Sequence, residues 1–254
     1  MQGQHADPAA RTRRAGRPRG HPVRLRHHHQ PAARLRAGGG GPVTAHPWRD
    51  AAPPTAERGA PPPVSPADAR TRPWAPVDTP AGTFQLVPAD PQRDLATLTR
   101  WMNDPAVAAF WELAGDEGVT AGHLAPQLAD DSHSTPWIGV LSGTPISYWE
   151  LYRADLDRLA RYYPARPHDM GVHLLIGEAG HRGRGTGTAL LRAVTGLVLD
   201  HIPRCTRVVA EPDLRNTPSV LAFLRAGFRL SAEIDLPEKR AALMVRDRTP
   251  RTRP

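Results

Sequence analysis

MGVHLLIG (170–177), EAGH (178–181), RGRGTG (182–187) and TALLRAVTGLVLD (188–200) form the stretch on which the reading of this chain turns. The first segment is an apolar strand. In the last, Leu190, Leu191, Val194, Leu197 and Val198 share one helical face. Between them lies a loop in which Gly183, Gly185 and Gly187 alternate with Arg184 and Thr186. Glycines let a backbone approach an anion closely, and the start of the helix adds its partial positive charge, so strand, glycine loop and helix in that order predict a phosphate site. The spacing excludes a Walker loop, which needs a Gly-Lys-Ser/Thr ending, because no lysine lies near it. The dinucleotide fingerprint fails as well: three residues after Gly185 comes Thr188, not Gly or Ala.

Outward from the loop, a strand over Thr206–Ala210, a helix over Thr217–Ala226 with Gly227 as its cap, and strands over Phe228–Ile234 and Ala241–Val245 are expected. Upstream, Thr83–Val87 alternates like a strand that ends at Pro88, and Asp90–Asn103 carries helical spacing up to the break at Pro105. A short helix through Val107, Phe110 and Trp111 and a third over Val119–Asp130 follow. The runs Trp137–Leu141 and Pro145–Tyr152 around Ser142-Gly143-Thr144 then read as a hairpin.

Composition divides the chain. Residues 1–76 hold 14 of the 29 Pro and 13 Arg against four acids, a charge of +9, so that the total of +8 leaves −1 for residues 77–254. A segment with so little apolar surface is expected to be a disordered tail, with one folded domain at 77–254, and a chain starting near Val77 should keep its stability and activity. The triplet His27–His29 and the run Gly38–Gly41 carry no ligand spacing, and no metal is expected. The single Cys205 excludes an intramolecular disulfide and is expected in the core. With no apolar run of membrane length and no signal segment, a cytoplasmic enzyme is expected, with no membrane partner. The basic charge belongs to the tail and forms no patch on a folded surface, which argues against a nucleic-acid partner.

Arg182, Gly185 and Gly187 match Arg/Gln-x-x-Gly-x-Gly/Ala, and with Asn216 and Ala226-Gly227-Phe228 further on the chain resembles the GNAT superfamily of acyl-CoA-dependent N-acyltransferases. The resemblance implies an α/β fold with a mixed, mostly antiparallel central sheet flanked by helices. Asp169 to Gly177, the Tyr148-Trp149-Glu150 run with Tyr152, Glu211-Pro212-Asp213 and Leu236 to Ala241 look more narrowly like the N-acyltransferases of hydroxamate siderophore assembly, those of the aerobactin, desferrioxamine and mycobactin type. This likeness covers residues 83–248. Aminoglycoside 6′-N-acetyltransferases share the frame Gly-Ile-Asp where this chain has Gly171-Val172-His173, and the histidine favours the siderophore group.

The resemblance implies that acetyl-CoA or another acyl-CoA is held by Leu175, Ile176, Arg182, Gly183, Arg184, Gly185, Thr186, Gly187, Asn216 and Ser219, with a backbone N–H near Leu175 as oxyanion donor. The acceptor amine attacks the thioester directly, so alignment and proton transfer are what the protein must supply. His173 lies two residues before Leu175 on the same strand face and, with an ordinary pKa of about 6.5, is the expected general base. Asp213 is expected to orient it or to hold a cationic acceptor. Trp111, Trp149, Glu150 and Tyr152 are the expected acceptor pocket. The family's tyrosine acid would lie where this chain has Phe223, so no phenol acts from there.

The leading expectation is therefore an acyltransferase acting on the side-chain amine or N-hydroxyamine of lysine or a related diamine in siderophore biosynthesis. Aminoglycoside or protein N-acetylation is the alternative within the same chemistry. A nucleic-acid-binding protein with a degenerate GNAT domain is the alternative from another class, and strong salt dependence that is lost on deleting residues 1–76 would mark it.

Overall fold

Eight strands form one sheet in the computed structural model, which describes residues 72–249. They are β1 (Val77–Thr79), β2 (Gly82–Pro88), β3 (Ser134–Leu141), β4 (Thr144–Arg153), β5 (Met170–Ile176), β6 (Arg207–Ala210), β7 (Arg229–Asp235) and β8 (Arg240–Asp247). The helices are α1 (Pro91–Met102), α2 (Pro105–Trp111), α3 (Glu117–Leu124), α4 (Thr186–His201) and α5 (Thr217–Arg225). The sheet order is β1-β2-β3-β4-β5-β6-β8-β7, with β5–β6 as its parallel pair and the rest antiparallel, which is the mixed sheet that the resemblance implied.

Local chemistry sets the boundaries. Asp90, Asp104, Asp116 and Asn216 cap α1, α2, α3 and α5, each accepting a first-turn N–H, and a proline stands at the first or second position of α1, α2 and α5. The third helix is shorter than its expected span of Val119–Asp130. It ends at Leu124 and passes into a single 3₁₀ turn, Ala125–Gln127, because Pro126 has no N–H with which to continue the ladder. The β3–β4 hairpin turns on Ser142 and Gly143, both at positive φ (48° and 81°), which suits a two-residue turn.

Helices cover both faces. On one, Leu190, Leu191, Val194 and Val198 of α4 and Phe223 of α5 pack on Phe84, Leu86, Trp149 and Val172. On the other, Leu98, Trp101 and Met102 of α1, Val107 of α2 and Leu124 of α3 pack on Ile138, Val140, Tyr148 and Leu175. Cys205 is fully buried, as expected, and burial pushes its thiol up to about 11. Among the described residues no helix is long and apolar enough to cross a membrane.

The boundary expected between residues 76 and 77 is corrected. Trp74 is buried, its ring stacks on His201 at 4.6 Å and meets Trp137 at 5.1 Å, and its backbone N–H donates to Leu86 O at 3.0 Å. The proline-rich surroundings hid one large apolar side chain that the core uses. The readings made on residues 1–71, including His27–His29, Gly38–Gly41 and the nucleic-acid alternative, lie outside the described residues.

Trp74→Ala, or a chain that starts at Val77, is expected to cost about 3 kcal/mol or more, as other buried tryptophans do. At this size that is a fall of roughly 10 °C in Tm, measurable by calorimetry. An unchanged Tm would return the boundary to residue 77.

Candidate active site

β5 and β6 pair only at Met170↔Val208 and Gly171↔Val209, and beyond those residues they part. The strand period of two then places His173, two residues past Gly171, opposite Glu211, two residues past Val209, on the two lips of the opening. On the other side of β5, the register sets Glu150 directly across from His173, with Tyr148 across from Leu175 and Tyr152 across from Gly171. One sheet face therefore gathers Tyr148, Glu150, Tyr152, His173 and Leu175.

His173 is clamped between carboxylates. Its Nδ1 lies 2.8 Å from Glu150 Oε2 and its Nε2 lies 2.5 Å from Glu211 Oε1. A neutral imidazole has one N–H and would turn a lone pair on the other carboxylate, so this geometry calls for the doubly protonated ring. Burial works against that charge, but Glu211 and Glu150 outweigh it and raise the pKa to about 10. Burial likewise opposes the charge on Glu150, yet hydrogen bonds with His123 and His173 take its pKa well below the usual carboxylate range. Glu211 is lowered against the same penalty by the charge on and hydrogen bond with His173, with Lys239 and Tyr152 adding to it. The expected free imidazole with an ordinary pKa is thus corrected: at neutral pH His173 already holds the proton.

Each carboxylate has further partners. Glu150 Oε1 meets His123 Nε2 at 2.6 Å and accepts from Gln127 Nε2 at 2.8 Å and Tyr148 OH at 3.0 Å. Glu211 Oε2 accepts from Tyr152 OH at 2.8 Å, and Lys239 Nζ stands 3.8 Å from Oε1. The Tyr152 ring, 4.8 Å from that of His173, lies over Gly171, where an added Cβ would come within 2.0 Å of it. The Trp111 ring closes the group, 5.6 Å from Tyr148 and 6.2 Å from His173.

Two expected members are elsewhere. Asp213 does not orient His173, because its carboxylate is closed by Arg215, which donates to Oδ2 at 2.6 Å and, from the backbone, to Oδ1 at 2.7 Å. Trp149 points to the opposite sheet face, where its ring is fully buried and its Nε1 donates to Ser147 Oγ at 2.9 Å, so it belongs to the core and not to an acceptor pocket. Phe223 is buried against Phe228, so the face of α5 that it occupies supplies no acid.

Leu175 and Trp111 also belong to a cleft of about 510 Å³ that runs from the strand opening to the glycine loop and is lined by Ile176, Arg182, Gly183, Gly185, Gly187, Asn216 and Ser219. Gly185 is the N-cap of α4 at φ 83° and no side chain caps the helix, which leaves first-turn N–H groups for an anion. Gly183 has φ 71°, and a Cβ on any of the three loop glycines would meet nothing within 4 Å. The space beside them is open to a ligand. Arg182 braces the loop: its guanidinium donates to Ile176 O, Gly177 O and Asp104 Oδ1. Arg184 is exposed and Thr186 buried, and neither side chain lines the cleft. Asn216 caps α5 through Oδ1, to which Ser219 N–H donates at 3.2 Å. Among the described residues no cluster of three metal-binding side chains has ligand geometry.

The residues that line this cleft all fall within a family match: residues 90–236 match the acetyltransferase (GNAT) domain. The chain belongs to the GNAT acetyltransferase family. Among its relatives, N(6)-hydroxylysine O-acetyltransferase of Escherichia coli is 41% identical over 160 residues, covering 63% of this chain and 50% of that enzyme. This chain thus spans about half of that relative's length. Lysine N-acyltransferase MbtK of Mycobacterium sp. (strain MCS) is 36% identical over 187 residues, 74% of this chain and 76% of the relative. Among solved structures, the aminoglycoside acetyltransferase AAC(6')-Ib in complex with coenzyme A superposes with a TM-score of 0.58 at 26% identity, covering 65% of this chain and 95% of that one.

Sequence reading missed Glu211, His123, Gln127, Tyr148 and Lys239 as members of the array around His173. A glutamate directly after the apolar run of β6 was the available signal for Glu211, and the i, i+4 spacing of His123 and Gln127 that for the helical pair.

Two outcomes are expected. Gly185→Val should lower acetyl-CoA affinity at least tenfold in calorimetry, since its φ of 83° strains any β-branched residue and its side chain would enter the cleft. Unchanged affinity in a folded variant would put the cofactor elsewhere. His173 should titrate near pH 10 in ¹⁵N NMR of its ring. A folded pKa raised above the unfolded value of about 6.5 contributes stability that is complete below that pH. The stability difference between wild type and His173→Gln should therefore shrink as pH rises toward 10. A ring that titrates near 6.5 would mean that the clamp does not form.

Proposed function

We propose that this chain is a cytoplasmic acyl-CoA-dependent N-acyltransferase that acylates the side-chain amine or N-hydroxyamine of lysine or a related diamine during hydroxamate siderophore assembly. The observation that carries the reading is the charged Glu150–His173–Glu211 array, which adjoins the glycine-loop cleft through Leu175 and Trp111. The cleft takes the acyl-CoA pyrophosphate on the first turn of α4, and the thioester lies in the opening beside β5. Acylating the nitrogen of an N-hydroxyamine yields a hydroxamate, a bidentate oxygen ligand for iron; the mycobacterial relative is named for N-acylation and the Escherichia coli one for O-acetylation of hydroxylysine.

Acetyl-CoA supplies the acyl group. The acceptor nitrogen forms a bond to the thioester carbonyl carbon, the C–S bond breaks, and CoA leaves as thiolate. A backbone N–H near Leu175 takes the oxyanion. The nitrogen of the tetrahedral adduct is far more acidic than a free ammonium, so its proton passes to the departing CoA thiolate, and no free imidazole is needed. Trp111, Tyr152 and the exposed third of the His173 side chain wall the acceptor. Acyl-CoA as co-substrate supports the cytoplasmic location, and nothing in the domain calls for a membrane or nucleic-acid partner.

Thiol release from acetyl-CoA should be measured with N6-hydroxylysine, lysine, N-hydroxyputrescine and kanamycin as acceptors. Turnover is expected with the lysine or putrescine derivatives. Turnover of kanamycin alone would make the chain an aminoglycoside acetyltransferase, like its structural neighbour.

A further inference from the structure

Lys239 is the one lysine in a chain that carries 32 arginines. In a composition so biased, the one position that keeps a lysine is singled out. Its place in the fold says what for. The turn between β7 and β8 is closed by Leu236 and Lys239, each N–H donating to the other's carbonyl at 2.9 and 3.3 Å. From there the lysine side chain runs inward, 23% exposed, to within 3.8 Å of Glu211 Oε1, the oxygen that also receives His173 Nε2.

The neighbouring charges are paired off elsewhere. Arg240 holds Glu233 and Asp235, Arg158 holds Glu238, and Arg215 holds Asp213. The ammonium of Lys239 is what the hairpin presents to the array. Glu150 and Glu211 bring two negative charges, and His173 and Lys239 bring two positive ones. Tyr148, Tyr152 and Gln127 add none, the two phenols being held protonated by burial and by the adjacent carboxylates. The sum is zero, and a proton on His123 would make it positive. An ammonium entering this pocket leaves its water and meets carboxylates already committed to other cations, whereas an uncharged nitrogen gives up far less.

We infer that Lys239 is a specificity residue, which by bringing the array to neutrality favours an uncharged acceptor, an N-hydroxyamine, over the ammonium form of a plain side-chain amine. This rests on the acyltransferase reading above and deepens it. A lysine ε-amine, with an ordinary pKa of about 10.4, arrives almost wholly charged at pH 7.5, while the N-hydroxylated nitrogen is far less basic and arrives neutral.

The test compares KM for lysine and for N6-hydroxylysine, by thiol release from acetyl-CoA at pH 7.5, in wild type, Lys239→Gln, Lys239→Met and Lys239→Arg. The ionisation of each free acceptor is the same with every enzyme and cancels from the comparison. Removing the cation leaves the array negative, so in Lys239→Gln and Lys239→Met the KM for lysine should fall about tenfold relative to that for N6-hydroxylysine. Lys239→Arg, which keeps the charge, should stay near the wild-type ratio. A lysine with a merely structural role would move both KM values alike. An unchanged ratio in the two neutral variants, with acetyl-CoA binding intact by calorimetry, overturns the assignment, as does an arginine variant that behaves like glutamine. Wild type inactive on both acceptors is a different result: the acyltransferase reading falls, and this inference with it.

Discussion

The parting of β5 from β6 after two paired residues is the constraint on which the rest of the domain depends. A strand in the middle of a sheet normally spends every N–H and C=O on its neighbours, and an unpaired stretch needs water or a ligand in their place. Here β5 keeps β4 along its whole length and loses β6 from Val172 onward, so backbone groups face an opening lined by side chains of both strands. The glycine loop follows β5 directly and the first turn of α4 follows the loop. Gly177 makes that sequence of elements possible at close range, for a Cβ there would lie 2.0 Å from the Trp101 ring that packs α1 on the end of the strand.

Burying two carboxylates beside one histidine is costly in isolation, and the surroundings show how the cost is met. Both carboxylates are nearly inaccessible, and each receives a phenol in addition to the imidazolium. Removing one partner of such a group leaves an uncompensated buried charge, which is far worse than never having built it. The array is therefore rigid, and its protonation is fixed by its own members more than by the pH of the medium.

What could be read in advance was what is local. The glycine spacing, the helical face of α4 and the helix break at Pro105 all concern residues close together in the chain, and each appears in the structure within a few positions. What escaped depends on register and distance. Strand alternation shows that Trp149 and Glu150 point opposite ways but not which of them faces the site. Glu211 could not be matched to His173 without knowing that their strands are parallel neighbours, so the nearby Asp213 took its place. Trp74 was lost in a segment whose average composition is wrong for a core, although its ring partner, His201 at the end of α4, is far off in the chain.

The proposed acceptor pocket is built from two materials. One wall is strand: Tyr148, Glu150, Tyr152 and His173 are locked by register, and Gly171 admits no side chain beneath Tyr152. The other wall comes from helices and a 3₁₀ turn, where Trp111, His123 and Gln127 reach in from short elements on the rim. Substrate range in such an enzyme is free to drift on the second wall and frozen on the first. Descendants of this domain that took on bulkier or branched acceptors would carry their changes in the segment 105–127, with the strand signature around residues 148–152 and 171–175 left as it stands.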